Sequence, residues 1–382
     1  MNDDVAIIGV GLHPFGRFPG KSAFDMGVHA VRGALGEAGL QWGDIQMAFG
    51  GSSGYANTDA LQNQLGLTGI RFHNVKNGCA TAGTALSLTA NAIRSGQADI
   101  ALAVGFDKHE RGAFTGDPQG LNVGSWYGDM GMFLTTLYFA QKINRYMYDF
   151  GITEETLARV AAKNYRNGSK NPNALRRTPL SVEEILGSQM VNYPLRQYMF
   201  CSPDEGAGAV ILCRADRAHE YTDTPIFLKA VEVRTRKQGA WEVHGPSAPV
   251  DRVDGPTVFA SQAAYESAGI GPEDIDIAQL QDTEAGAEVI HMAENGLCKD
   301  GEQNEMLETG ATEITGRLPI NTDGGLIANG EPIGASGLRQ VYELVNQLRG
   351  TAGDRQVPNS PQVGYAQLYG APGVSAVSIL SR

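Results

Sequence analysis

The chain has 382 residues, 42% hydrophobic and 19% charged, enough for one large or two medium globular domains. A formal net charge of −12 without a long basic tract argues against a nucleic-acid binder. No apolar run reaches the roughly 18 residues that a membrane-spanning helix needs. Cys79, Cys201, Cys213 and Cys298 lie far apart with no CxxC pair, which argues against a metal cluster and fits a reducing cytoplasm. The acidic start, Met1-Asn2-Asp3-Asp4, runs straight into a strand pattern and reads as neither a signal nor a transit peptide.

Val5 to Gly11 predicts a buried strand, followed by a turn at His13-Pro14-Phe15-Gly16. The pair Gly9 and Gly11 lacks the third glycine of a dinucleotide fingerprint, and Pro14 spoils the helix start which that motif needs. Residues 22–38 set Phe24, Met26, Val28, Val31 and Leu35 on or near one helical face. Met47 to Gly51 predicts a second strand and residues 58–65 a helix. Phe72-His73-Asn74-Val75 leads into Asn77-Gly78-Cys79, and Ala85 to Arg94 has helical spacing. Residues 98–105 read as another buried strand. The order β, α, β, α, β predicts an α/β class with a layered sheet.

From about 107 to 200 strand-like runs stop and Gly, Asn, Tyr and Met rise. Helices are expected near 129–149 and 153–166, in what reads as an insertion into the scaffold. Lys163, Arg166, Lys170, Arg176 and Arg177 crowd this stretch. They fit a solvated loop or a landing site for a phosphate-bearing ligand. Strand patterns return at 204–212, 226–233 and 275–280, with helices over 256–268 and 285–295. A strand-like approach, Ile320 to Ala328, precedes Asn329-Gly330-Glu331. A helix at 338–349 and a last strand, Val374 to Leu380, complete the order.

Asn-Gly tolerates positive φ, so Cys79 is expected where a turn becomes a helix. The N–H groups and dipole of a helix start would favour a thiolate there. A thiol buried in a small-residue seam is the alternative. Asn329-Gly330-Glu331 repeats the pattern, with small residues behind it and a helix of similar length. The two helices end near Gly96 and Gly350, and strands follow at Ile100 to Val104 and Val363 to Gln367. The match predicts two duplicated halves, 1–215 and 216–382. Packed face to face, they would set Cys79 opposite Glu331.

Four blocks resemble the thiolase superfamily, in its sterol-carrier-protein or lipid-transfer-type branch. They are Asn77-Gly78-Cys79-Ala80-Thr81, Ser202 to Ala209, Asn321 to Ile327, and Glu331-Pro332-Ile333-Gly334-Ala335-Ser336-Gly337. The resemblance covers nearly the whole chain. It implies a five-layered αβαβα fold of two duplicated halves, a loop domain inserted in the first, and a homodimer. It also implies an acyl-CoA substrate, coenzyme A as co-substrate with no bound cofactor, and basic loop residues that meet the phosphates. Gly370 would pair its N–H with that of Cys79 as an oxyanion hole.

Three positions depart from the family. Glu331 stands where the family usually has the histidine that activates the cysteine. A buried carboxylate could take that proton instead. The two positions at which the family places an acid/base cysteine hold Leu368 and Thr283. The block that in this branch commonly reads His-Asp-Cys-Phe is Gln281-Asp282-Thr283-Glu284. Gln281 could hold a water or a carbonyl oxygen, and Glu284 could act as an acid or cap the following helix.

The expected function is thiolytic cleavage, or the reverse condensation, of a β-ketoacyl-CoA through a Cys79 acyl-enzyme with Glu331 as acid/base. Retro-aldol cleavage of a β-hydroxyacyl-CoA is the second reading, and a non-catalytic acyl-CoA or lipid-binding subunit the third. In this branch a small zinc-ribbon and OB-fold protein often accompanies the thiolase-like chain.

Overall fold

The computed structural model describes residues 4–245 and 253–382; the acidic start, residues 1–3, lies outside the described residues. The strands are β1 (Val5–Gly16), β2 (Met47–Gly51), β3 (Arg71–Val75), β4 (Ile100–Lys108), β5 (Met190–Asn192), β6 (Leu195–Arg196), β7 (Glu205–Arg214), β8 (Ile226–Thr235), β9 (Ile277–Leu280), β10 (Val363–Gly370) and β11 (Val374–Ser381). The helices are α1 (Ala23–Ala38), α2 (Gln62–Leu65), α3 (Thr81–Arg94), α4 (Ser125–Asp129), α5 (Thr135–Phe150), α6 (Glu154–Ser169), α7 (Val182–Leu186), α8 (Pro256–Ala268), α9 (Ala285–Glu294), α10 (Gln303–Glu308), α11 (Gly325–Asn329) and α12 (Ser336–Arg349).

Nine strands form one mixed sheet in the order β3-β2-β4-β7-β1-β8-β11-β10-β9. The order holds two copies of one plan. In the first, β3, β2 and β4 run parallel, then β4, β7 and β1 antiparallel. In the second, β9 and β10 run parallel, then β10, β11 and β8 antiparallel. The place of β3 is taken there by a single parallel bridge between Ala278 and Ile320. The copies join at β1 and β8, where only Ala6 with Phe227 and Ile7 with Ile226 pair.

Residues alternate between the two faces of each strand, and the alternation assigns the layers. Val5 and Ile7 enter a core that contains α3 and α12, while Ala6 and Ile8 enter a second core under α1. Helices α3 and α12 each touch strands of both copies, and α8 covers β8 and β11 on the far side. The layers are therefore α1, half-sheet, α3 with α12, half-sheet, α8: the αβαβα architecture. Between β4 and β7 the chain leaves the sheet for residues 109–204, and α5, α6, α9 and α11 meet there around a core of their own.

Local expectations differ from this in three places. No turn follows Gly11; β1 continues to Gly16, and Pro14 falls where the β1–β7 register is irregular, between His13 and Gly16. A missing N–H is harmless at such an interruption. The glycines have a packing role instead: a Cβ on Gly9 or Gly11 would lie 2.3 Å from the Ala34 carbonyl or 2.0 Å from the Ala30 carbonyl of α1. The approach to Glu331 is not a strand but the short helix α11, because buried Asp282 accepts from the N–H groups of Leu326, at 2.6 Å, and Ile327, at 3.1 Å. The expected helix at 129–149 divides into α4 and α5, with Gly131 at φ 81° between them.

Candidate active site

Cys79 stands on the turn between β3 and α3. Gly78 takes the positive φ that Asn-Gly implies, 55°. The Thr81 hydroxyl closes the turn, accepting from Asn77 N at 2.7 Å and donating to Gly78 O at 2.6 Å. β10 ends against the same turn: a Cβ built on Gly370 would lie 2.7 Å from the backbone nitrogens of both Cys79 and Ala80. Only a residue without a side chain allows that approach.

Glu331 arrives from the second copy and is fully buried. Its N–H donates to Ser202 O at 2.8 Å. The loop behind it is clamped by Asp107, at the end of β4. Asp107 accepts from Gly334 N at 2.7 Å, from Ser52 Oγ at 2.5 Å, and from Ser53 N and Gly54 N, each at 3.0 Å. Burial raises the Asp107 carboxyl, but hydrogen bonds from His109, Ser52 and Ser53 bring it below the ordinary carboxylate range. It is thus an ionised tie between the halves.

The Glu331 carboxylate gathers three side chains. Cys79 is in hydrogen-bond contact with it, the Cys201 thiol lies 3.5 Å from Oε2, and Gln281 Nε2 lies 3.4 Å from Oε1. Burial pushes the Cys79 thiol well above its ordinary value, and the charge and hydrogen bond of Glu331 push it the same way. Cys201 is raised by the same two influences. Burial also raises Glu331, against the pull of the two thiols donating to it. The resting site therefore holds two neutral thiols on one carboxylate. The thiolate expected from the helix start does not form, because the apolar surroundings and the facing charge outweigh a dipole whose helix begins two residues later, at Thr81.

Gln281 is already engaged. Its Oε1 accepts the Tyr369 N–H and its Nε2 faces Glu331, so its amide orients the carboxylate. His291 Nδ1 donates to Gln281 O at 2.9 Å, and burial holds this imidazole neutral, its pKa pushed down to about 4. Glu284 caps α9 by accepting from Gly286 N; burial pushes its carboxyl up to about 8.

Cys79, Cys201, Gln281, Thr283 and Glu331 line one cavity of about 380 Å³, whose remaining wall is largely apolar, with Phe114, Phe139, Phe200, Val191, Val243 and Ile333. The basic cluster expected to receive phosphates is dispersed. Lys163 is buried, 2.9 Å from Glu288 and 2.8 Å from Ile320 O. Arg166 pairs with Glu313 at 2.5 Å. Arg176 reaches the cavity wall but donates to Phe200 O at 2.7 Å and Ile327 O at 2.8 Å. Lys170 and Arg177 are exposed. Along α6 the cations point in different directions, which crowding in sequence cannot reveal.

Sequence reasoning overlooked Cys201 and Asp107. Cys201 directly precedes the Ser202-Pro203-Asp204-Glu205 block, and that adjacency was the one available signal. Asp107 offered none, since its partners come from three separate segments.

Profiles described as "Thiolase, N-terminal domain" and "Thiolase C-terminal domain-like" match residues 5–192 and 250–382. The chain is 36% identical to an acetyl-CoA acetyltransferase of Methanothermobacter thermautotrophicus, over 99% of this chain and 100% of that protein. It is 31% identical to the benzoylsuccinyl-CoA thiolase subunit BbsB of Thauera aromatica, over 96% of this chain and 94% of that one. It is 30% identical to sterol carrier protein 2 of Gallus gallus, over 94% of this chain and 68% of that protein. Among solved structures, the Ltp2-ChsH2(DUF35) aldolase superposes with a TM-score of 0.88 at 23% identity, covering 99% of this chain and 98% of that chain.

Proposed function

The chain belongs to the thiolase superfamily, in its sterol-carrier-protein-type branch, and from that premise we propose that it cleaves a β-ketoacyl-CoA thiolytically through a Cys79 acyl-enzyme, with Glu331 as the base. Acyl-CoA processing with coenzyme A as co-substrate is common ground for the family. The observation that carries the finer reading is the contact between a buried carboxylate and a neutral thiol at the floor of an apolar cavity. Glu331 takes the Cys79 proton and the thiolate attacks the keto carbon. The bond between the α- and β-carbons then breaks. Its electron pair stays on the α-carbon of the departing acyl-CoA, which must receive a proton. The CoA thiol next attacks the acyl-Cys79, its proton passing through Glu331 to the released Cys79 sulfur. The closeness of Gly370 to the Cys79 nitrogen supports an oxyanion site at these two residues.

The test offers a β-ketoacyl-CoA, with and without CoA, to the wild type and Cys79→Ser. The expected result is a mass increase of one acyl group on Cys79 in the absence of CoA, and loss of thiolysis in the variant. Thiolysis surviving Cys79→Ser would remove the nucleophile from the scheme.

The aldolase title of the structural relative motivates a second reading, retro-aldol cleavage with Glu331 taking the proton of a β-hydroxyl and Cys79 a bystander. That title also names a DUF35 protein, which supports assembly of this chain with a second protein; the family resemblance adds the expectation of a homodimer with a small zinc-ribbon and OB-fold partner. Cleavage of a tertiary β-hydroxyacyl-CoA retained in Cys79→Ser would favour the aldol reading.

A further inference from the structure

Resting on the thiolytic reading, one step still lacks a residue: a proton must reach the α-carbon once the carbon–carbon bond has broken. The titratable groups on the cavity wall are Cys79, Arg176, Cys201, His244, Glu331 and Tyr369. Cys79 is bound to the acyl group at that moment. Glu331 is fully buried, with Oε1 towards Gln281 and Oε2 towards Cys201. The Tyr369 hydroxyl is engaged by Glu242 and by Val243 N, away from the thiols. His244 stacks on Phe133 at 4.9 Å, and its Nε2 lies 3.2 Å from Phe133 O. Arg176 donates through Nη1 to the Phe200 and Ile327 carbonyls, and a guanidinium does not release its proton to carbon. Cys201 remains. It is partly exposed to the cavity, and its side-chain partner is Glu331 itself.

We propose that Cys201 is the proton donor to the α-carbon in cleavage, and the base at that carbon in the reverse condensation, with Glu331 relaying the proton between the two thiols. Glu331 takes the Cys79 proton as the sulfur attacks. The Cys201 S–H bond breaks as its proton moves to the α-carbon, which holds the electron pair of the broken bond. The protonated Glu331 then returns its proton to the Cys201 thiolate. Acyl-Cys79, neutral Cys201 and ionised Glu331 remain, so protons and electrons balance without a further reactant. A carboxylate suits this arrangement because it can accept from both thiols at once. Upward-shifted thiols suit it as well, since each stays protonated until its turn.

Two partial reactions separate the roles. Exchange of labelled CoA into acetyl-CoA requires the acyl-enzyme but no chemistry at the α-carbon. Deuterium wash-in at the acetyl-CoA methyl group in D2O requires the α-carbon step but no nucleophile. For Cys201→Ala the expected result is CoA exchange within about three-fold of wild type, with wash-in and thiolysis each reduced by about 100-fold or more. Cys201→Ser is expected to recover part of the wash-in, because the hydroxyl keeps a transferable proton. Undiminished wash-in in Cys201→Ala would overturn the assignment. So would equal loss of both reactions in a variant that melts like the wild type, since that pattern marks a merely structural thiol. Cys79→Ser keeps the two claims apart: surviving CoA exchange there would end the acyl-enzyme reading, while wash-in still reports on Cys201.

Discussion

Replacing Glu331 by glutamine should move two properties of Cys79 in opposite directions. The substitution preserves shape but removes a carboxylate in contact with both thiols. Loss of a positioned base typically lowers a rate by about 10²- to 10⁴-fold, or about 3 to 5 kcal/mol of transition-state stabilisation. Thiolysis and CoA exchange are expected to fall by that factor. The negative charge of Glu331 is, after burial, the largest influence holding Cys79 up, so its removal should bring the thiol down. Alkylation of Cys79 by iodoacetamide at pH 8 to 9 is therefore expected to become faster while turnover collapses. Stability supplies a third reading. Burial raises the folded-state Glu331 above its unfolded value, so folding favours the protonated form. Stability is thus withdrawn as pH rises through the unfolded value towards the folded one. The glutamine variant should gain melting temperature relative to wild type at neutral pH and little below pH 4. Turnover within about ten-fold of wild type, or alkylation slowing together with turnover, would refute the base assignment.

Gly370→Ala places a methyl group 2.7 Å from two backbone nitrogens that have no room to yield; acylation of Cys79 should fall by at least about 100-fold, with a destabilisation of about 1 to 3 kcal/mol in urea unfolding. Asp107→Ala strands the buried donors of Ser52 and Gly334 and frees Ser53 N and Gly54 N nearer the surface, so denaturant unfolding should report a loss of about 2 to 3 kcal/mol and weaker retention of Glu331 beside Cys79. Glu284→Gln removes a carboxyl raised to about 8; the folded state prefers its proton, so wild-type stability should decline between about pH 4.5 and 8, and the variant should lack that decline, a difference of at most about 5 kcal/mol by thermal melts across pH.

How much of this was legible in sequence follows from how local each feature is. The short apolar run from Val5 to Gly11 and the period of about 3.6 in residues 22–38 reflect local burial and backbone geometry, and both elements formed. The Asn77-Gly78 turn needs only positive φ at a glycine, so Cys79 sits on it as expected. The repeat was readable for the same reason: turn, helix and strand recur at matched spacing, and the sheet order carries the duplication through. The approach to Glu331 escaped because Asp282, more than 40 residues away, captures the N–H groups of Leu326 and Ile327 and winds α11. The dispersal of Lys163 and Arg166 escaped because it depends on which way each side chain leaves α6, and that of Arg176, beyond the helix, because distant carbonyls at Phe200 and Ile327 capture it.

The chain by itself determined the α/β class, the two matched turns and the identities of the facing groups, Cys79 and Glu331, because periodicity and turn chemistry act over a few residues. Only the tertiary structure decided that Cys201, 130 positions from Glu331, shares its carboxylate, that Gln281 is an orienting amide, and that both thiols rest neutral. Protonation and pairing in a buried site are set by desolvation and by neighbours through space, and neither is written in the order of residues.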